Sequence, residues 1–89
     1  MSYFTQVSMD GAVAVESGAN ADVLFDLGLM FSAGTAGVVD LVAAHKWFNL
    51  AAMKGRIDAI GHRREIAEMM SDADIAAAQR AARAWIGGH

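Results

Sequence analysis

The stretch Asp40 to Gly55, DLVAAHKWFNLAAMKG, holds a helix start, an apolar stripe and a helix stop. Asp40 is placed to cap the first turn, its carboxylate accepting from a backbone N–H that would otherwise lack a partner. Ala44, Trp47, Phe48, Ala51 and Ala52 recur at steps of three and four, which predicts one shared helix face. Gly55 supplies the positive φ that ends many helices. Two aromatic rings set among three alanines make a surface that alternates bulk with bare backbone. Such a face is shaped to receive another helix closely.

The surrounding composition supports a helical reading. The chain has 89 residues, 55% of them hydrophobic, no proline and no cysteine. That length bounds a single domain of modest stability, with apolar surface left over for a partner. Without proline and with abundant alanine, long uninterrupted helices are favoured. Without cysteine there is neither a disulfide nor a thiolate-bound metal, and the absence fits a cytoplasmic location.

The formal net charge is −3, and no basic face suited to nucleic acid stands out. Arg56, His62, Arg63 and Arg64 are the one basic cluster, and Asp58, Glu65 and Glu68 interleave with it as on a solvated helix. A basic segment followed by an apolar core is missing at the N-terminus, so no secretory signal is expected. Nor does any apolar run approach the ~20 residues that span a bilayer.

Residues 1–20 differ from the rest. Tyr3, Thr5, Val7 and Met9 alternate, Asp10-Gly11 follows, and Val13 and Val15 alternate again. An Asp-Gly pair between alternating runs signals a hairpin, but two short strands alone are marginal in water. The expectation is a flexible or loosely docked arm, or a short hairpin, ending at Ser17-Gly18-Ala19-Asn20.

Residues 21–89 read as one helical domain. The first helix is expected over 21–33, with Asn20 as its cap, Leu24, Leu27, Gly28 and Phe31 as its inner stripe, and Gly34 as its stop. A third helix is expected over 57–69, with Ala59, Arg63, Ile66, Ala67 and Met70 on one side. Ser71 followed by Asp74 has the logic of a capping box and opens a last helix over 72–86, burying Ile75, Ala78, Ala82, Trp85 and Ile86. The fold class is all-α: two antiparallel helical hairpins, stacked as a short α–α superhelix.

These residues resemble the Sel-one-like repeats, relatives of the tetratricopeptide repeats. Leu27-Gly28, Phe31 and Gly34 match the first helix of such a unit. Asp40, Ala44, Trp47-Phe48, Ala51-Ala52 and Gly55 match its second, and Ala59 the small residue opening the next. The resemblance covers one repeat, residues 22–55. The loop departs from the pattern, with Gly37-Val38 one position late and Ala36 where a glycine is usual. In the second hairpin Arg63-Arg64 replaces Leu-Gly, so residues 59–85 look like a degenerate terminal unit. Members of the family act as non-enzymatic scaffolds and adaptors, and the resemblance implies a bacterial signalling or regulatory scaffold. Helical repeats need about three units for stability, so an open end here calls for cover by the N-terminal arm or by a second subunit, as in a homodimer.

The residues themselves offer little chemistry. No pair of His45, His62 and His89 lies at i and i+4, and His45 is expected to face outward, so neither a metal nor another cofactor is expected. Asp72 and Asp74 lack the further ligands of a calcium loop. Glu65 and Glu68 share a helix face, as an acid–base pair would, but an ordinary solvated face explains them. Phe25, Leu29 and Met30 lie off the first stripe, and Leu41, Leu50 and Met53 off the second, leaving apolar surface for a partner or for the arm. By analogy with superhelical repeats, Asp22, Phe25, Asp26 and Leu29 on the first helix, with His62 and Arg63 or Glu65 and Arg64 on the third, are expected to line a groove that receives a segment of another protein. The competing expectations are a metal- or small-ligand-responsive regulator and a structural homodimer.

Overall fold

The computed structural model describes residues 20–35 and 37–87. Within them lie four helices: α1 (Ala21–Ala33), α2 (Leu41–Met53), α3 (Asp58–Ala67) and α4 (Asp72–Gly87). No strand occurs among the described residues. The expected arm or hairpin at the N-terminus lies outside them, apart from Asn20.

The helix ends follow the local chemistry. Asn20 Oδ1 accepts from the Val23 N–H at 3.0 Å, and Asp40 Oδ1 accepts from the Ala43 N–H at 3.0 Å. Ser71 Oγ accepts from the Asp74 N–H at 3.0 Å, so the cap read from Ser71 is present. Each replaces a bond that a helix N-terminus cannot make within itself. At the other end of α1, Gly34 adopts φ 77°, and the N–H groups of Gly34 and Thr35 both donate to the Met30 carbonyl. α2 closes differently. Gly55, at φ 107°, lets the Arg56 N–H donate to the Ala51 carbonyl while its own N–H donates to Ala52, the paired bonds of a Schellman motif.

α3 is shorter than the expected 57–69. Met69 and Met70 donate to carbonyls three residues back, Ile66 and Ala67, so the last turn tightens out of α geometry. α4 runs one residue past its expected end, into Gly87.

α2 is the element on which the others assemble. α1, α3 and α4 each pack mainly against it, and α3 touches α4 less than either touches α2. Ala44, Trp47, Phe48, Leu50 and Ala51 are all buried. Trp47 meets Trp85 of α4 edge to face, with ring centroids 5.9 Å apart. Phe48 turns toward α1, where an added Cβ on Gly28 would lie 2.5 Å from the ring. Leu24, Phe25, Ala59, Ile66 and Ala82 complete the cluster, with Leu27, Phe31, Met70 and Trp85 packed at its edge.

Four sequence placements are corrected. Phe25 and Leu50, read as lying off the inner stripes, are 6% and 2% exposed. His45, read as facing outward, is 4% exposed. A helix contacted on three sides buries far more than one stripe of its surface. Conversely, Ile86, read as core, is 44% exposed.

Two glycines separate the packing effect from helix propensity. Gly28→Ala gains about 1 kcal/mol of propensity but drives a methyl group into the Phe48 ring, and overpacking of this kind costs about 1–3 kcal/mol. Gly61 lies inside α3 with open space where its Cβ would be, so Gly61→Ala collects the propensity gain alone. Chemical denaturation of the two variants is expected to show a loss of stability for Gly28→Ala and a gain for Gly61→Ala.

Candidate functional site

The most elaborate side-chain arrangement joins α1 to the start of α3. The Schellman turn after α2 delivers Arg56 to this junction. Its Nη1 donates to Asp22 Oδ1 at 2.9 Å, and its Nε and Nη2 donate to the two oxygens of Asp58 at 2.7 and 3.2 Å. The guanidinium carbon sits 3.8 Å from the centre of the Phe25 ring, within range of a cation–π contact. Hydrogen bonding to Asp58, more than any other cause, raises the Arg56 pKa, and the same contact lowers that of Asp58.

Below Arg56 the rings continue. Phe25 meets His62 of α3 edge to face at 5.0 Å, and His62 stacks on Phe48 at 5.2 Å. Phe25 and Phe48 lie 5.5 Å apart and tilted. Asp22 therefore pairs with Asp58 through Arg56, and Phe25 pairs with His62 one turn on. The order is the same along both helices, so α1 and α3 run side by side in one direction.

Their backbones meet less closely than either meets α2, leaving a furrow floored by rings. The next turn brings Asp26 and Leu29 on α1 and Glu65 on α3, all exposed.

Of the residues expected to form a groove, the structure puts Phe25 and His62 in ring contact and links Asp22 to Phe25 through Arg56. Asp26, Leu29 and Glu65 stand further along the same two helices. Arg63 turns away, donating from Nη1 to Asn49 Oδ1 of α2 at 2.7 Å. Arg64 is exposed on α3. Phe25 is floor rather than open contact surface, because its ring is covered by Arg56, a residue that the α1 pattern does not include. Arg56 itself was read only as part of a solvated basic cluster. Its position three residues after the end of α2, with acids at Asp22 and Asp58, was the available signal.

Among the described residues, His45 is the one buried polar side chain. Its Nδ1 has no hydrogen-bond partner among the described residues. Burial first, and the Arg63 charge second, hold the imidazole below its ordinary value of 6.5. No group of three or more His, Asp or Glu side chains suited to a metal occurs among the described residues, and His89 lies outside them. Likewise, no described helix is long and apolar enough to cross a membrane.

No protein-family model, curated protein or solved structure matches the chain.

The lowered His45 pKa has a measurable consequence. As pH falls below about 6.5, the unfolded chain takes up a proton at this residue before the folded chain does. The contribution to stability is thus complete above that pH and drains away below it. Thermal melts between about pH 7 and pH 5 are expected to show a larger drop in midpoint for the natural chain than for His45→Leu. Equal drops would place the acid sensitivity elsewhere.

Proposed function

We propose that this chain is a short helical-repeat module of the Sel-one-like kind, whose function is to hold a segment of another protein rather than to catalyse a reaction. The segment lies in the furrow between α1 and α3. The observation that carries this proposal is the register of those helices: Asp22 with Asp58 through Arg56, then Phe25 with His62. Parallel neighbouring helices, tied together at Arg56 and carrying exposed Asp26, Leu29 and Glu65 further along, offer an elongated site of mixed polarity. Such a site suits an extended or helical peptide better than a compact small molecule, which is usually enclosed in a concave pocket. Gly28 against Phe48 adds support for the repeat, since the two residues occupy the Leu-Gly and Trp-Phe positions through which the resemblance was drawn. A cytoplasmic scaffold or adaptor role belongs to the same proposal.

Leu29→Asp and Glu65→Arg test it, because both residues are exposed and neither change disturbs the core. The immobilised natural chain is expected to capture a protein from a cell extract. Both variants are expected to keep the natural melting temperature and lose most of that capture. Retention of the same partner by both variants would remove the furrow as the site.

A further inference from the structure

The furrow between α1 and α3 carries acids that no neighbouring cation answers. Asp22 and Asp26 stand one turn apart on α1, and that helix has no lysine, arginine or histidine. Asp58, His62 and Glu65 follow at steps of four and three, so they share one edge of α3. Arg56 pairs with Asp22 and Asp58. Asp26 and Glu65 are exposed, and neither forms an ion pair or a side-chain hydrogen bond among the described residues. The basic residues of α3 are turned elsewhere. Arg63 donates to Asn49 of α2, and Arg64, two residues from His62, lies off the edge that His62 and Glu65 share.

These carboxylates flank an apolar path. Its floor is the contact of Phe25 with His62, which stacks in turn on Phe48. Leu29, one turn beyond Phe25, is 37% exposed. We infer that the segment held in the furrow is a basic amphipathic helix, with lysine or arginine side chains opposite Asp26 and Glu65 and an aliphatic side chain against Leu29. The inference rests on the furrow being the site that holds a peptide, and it adds the chemistry of that peptide.

Spacing and sign both select this occupant. Asp22 and Asp26 are separated by about 6 Å along α1 at 1.5 Å per residue, and cations at i and i+4 of a bound helix keep the same interval. Carboxylates strung along two helices suit a row of cations better than one metal ion, and no group of three or more His, Asp or Glu side chains suited to a metal occurs among the described residues. A second copy of the chain, at a formal net charge of −3, brings more charge of the same sign, and nucleic acid brings phosphates. Both are repelled by the acids that attract a basic helix. Leu29 and the ring floor contribute apolar contact whatever the charge of the partner, as in other grooves that receive an amphipathic helix. The carboxylates supply the discrimination.

Three synthetic helical peptides of about 15 residues, titrated into the isotope-labelled full chain and followed by NMR, test the inference. All three share one leucine stripe, and their polar positions carry lysine, glutamine or glutamate. At about 0.01 M salt the lysine peptide is expected to shift the signals of Asp26, Leu29 and Glu65 and to bind about tenfold more tightly than the glutamine peptide. The glutamate peptide is expected to bind most weakly. Raising the salt to about 0.15 M is expected to shrink the lysine preference. Asp26→Asn combined with Glu65→Gln, two exposed changes that keep side-chain shape, is expected to erase most of that preference and leave the glutamine peptide binding as before. Glutamine or glutamate peptides that shift the same signals with equal affinity would overturn the inference and keep the furrow as a peptide site. A lysine preference undiminished in the double variant would overturn it as well. Shifts confined to α2 and α4, or no binding by any of the three peptides, would remove the furrow and the inference together.

Discussion

The contact between the Phe48 ring and the bare backbone of Gly28 sets the terms for the rest of the structure. It brings α1 and α2 closer than any pair of side chains would allow, because the ring occupies the space of a missing Cβ. From that position the same ring supports His62 of α3 and tilts against Phe25. One side chain of α2 thus fixes the depth of α1 and the approach of α3. On the other side of α2, Trp47 does comparable work toward α4 through Trp85. A helix that serves three neighbours can afford few polar positions, which explains why a chain of this size spends two large aromatics on it.

Much of the helical framework was legible because its signals are local. Asn20, Asp40 and Ser71 are short polar side chains immediately before apolar periodic runs, and each accepts the backbone hydrogen bond its position suggests. Gly34 and Gly55 adopt the positive φ that their positions after a helix require. The inner stripe of α1 was readable for the same reason. Burial outside the stripes was not, since it depends on what arrives from elsewhere. Leu50 and His45 are covered because α2 has neighbours on several sides, and a pattern within one helix cannot count its neighbours. Phe25 is covered by Arg56, thirty-one residues away along the chain. The tightened end of α3 also escaped, as its apolar pattern continues through Met69 and Met70 after the α geometry has stopped.

Two kinds of polar group are handled in different ways. Arg56 carries a full charge at the surface and satisfies it with two carboxylates and a ring. His45 is placed inside without a partner for Nδ1 among the described residues, and it stays neutral as the less costly form. Of the groove expected from the sequence, Asp22, Phe25 and His62 are assembled around Arg56, while Asp26, Leu29 and Glu65 are exposed further along the same helices. The legible part was the choice of helices. The position of the clamp that joins them required three segments of chain at once.

Because Arg56 bridges α1 and α3 while its two acidic partners remain largely in solvent, the separation of those helices is governed partly by screened charge and partly by hydrocarbon. Mobile ions attenuate the first within a Debye length of about 8 Å at physiological ionic strength and leave the second nearly untouched. The junction therefore behaves as a compliant joint seated on a stiff base. Added salt weakens the charge pairing at Arg56, while the pitch of α1 on α2 stays set by a ring and a missing methyl group.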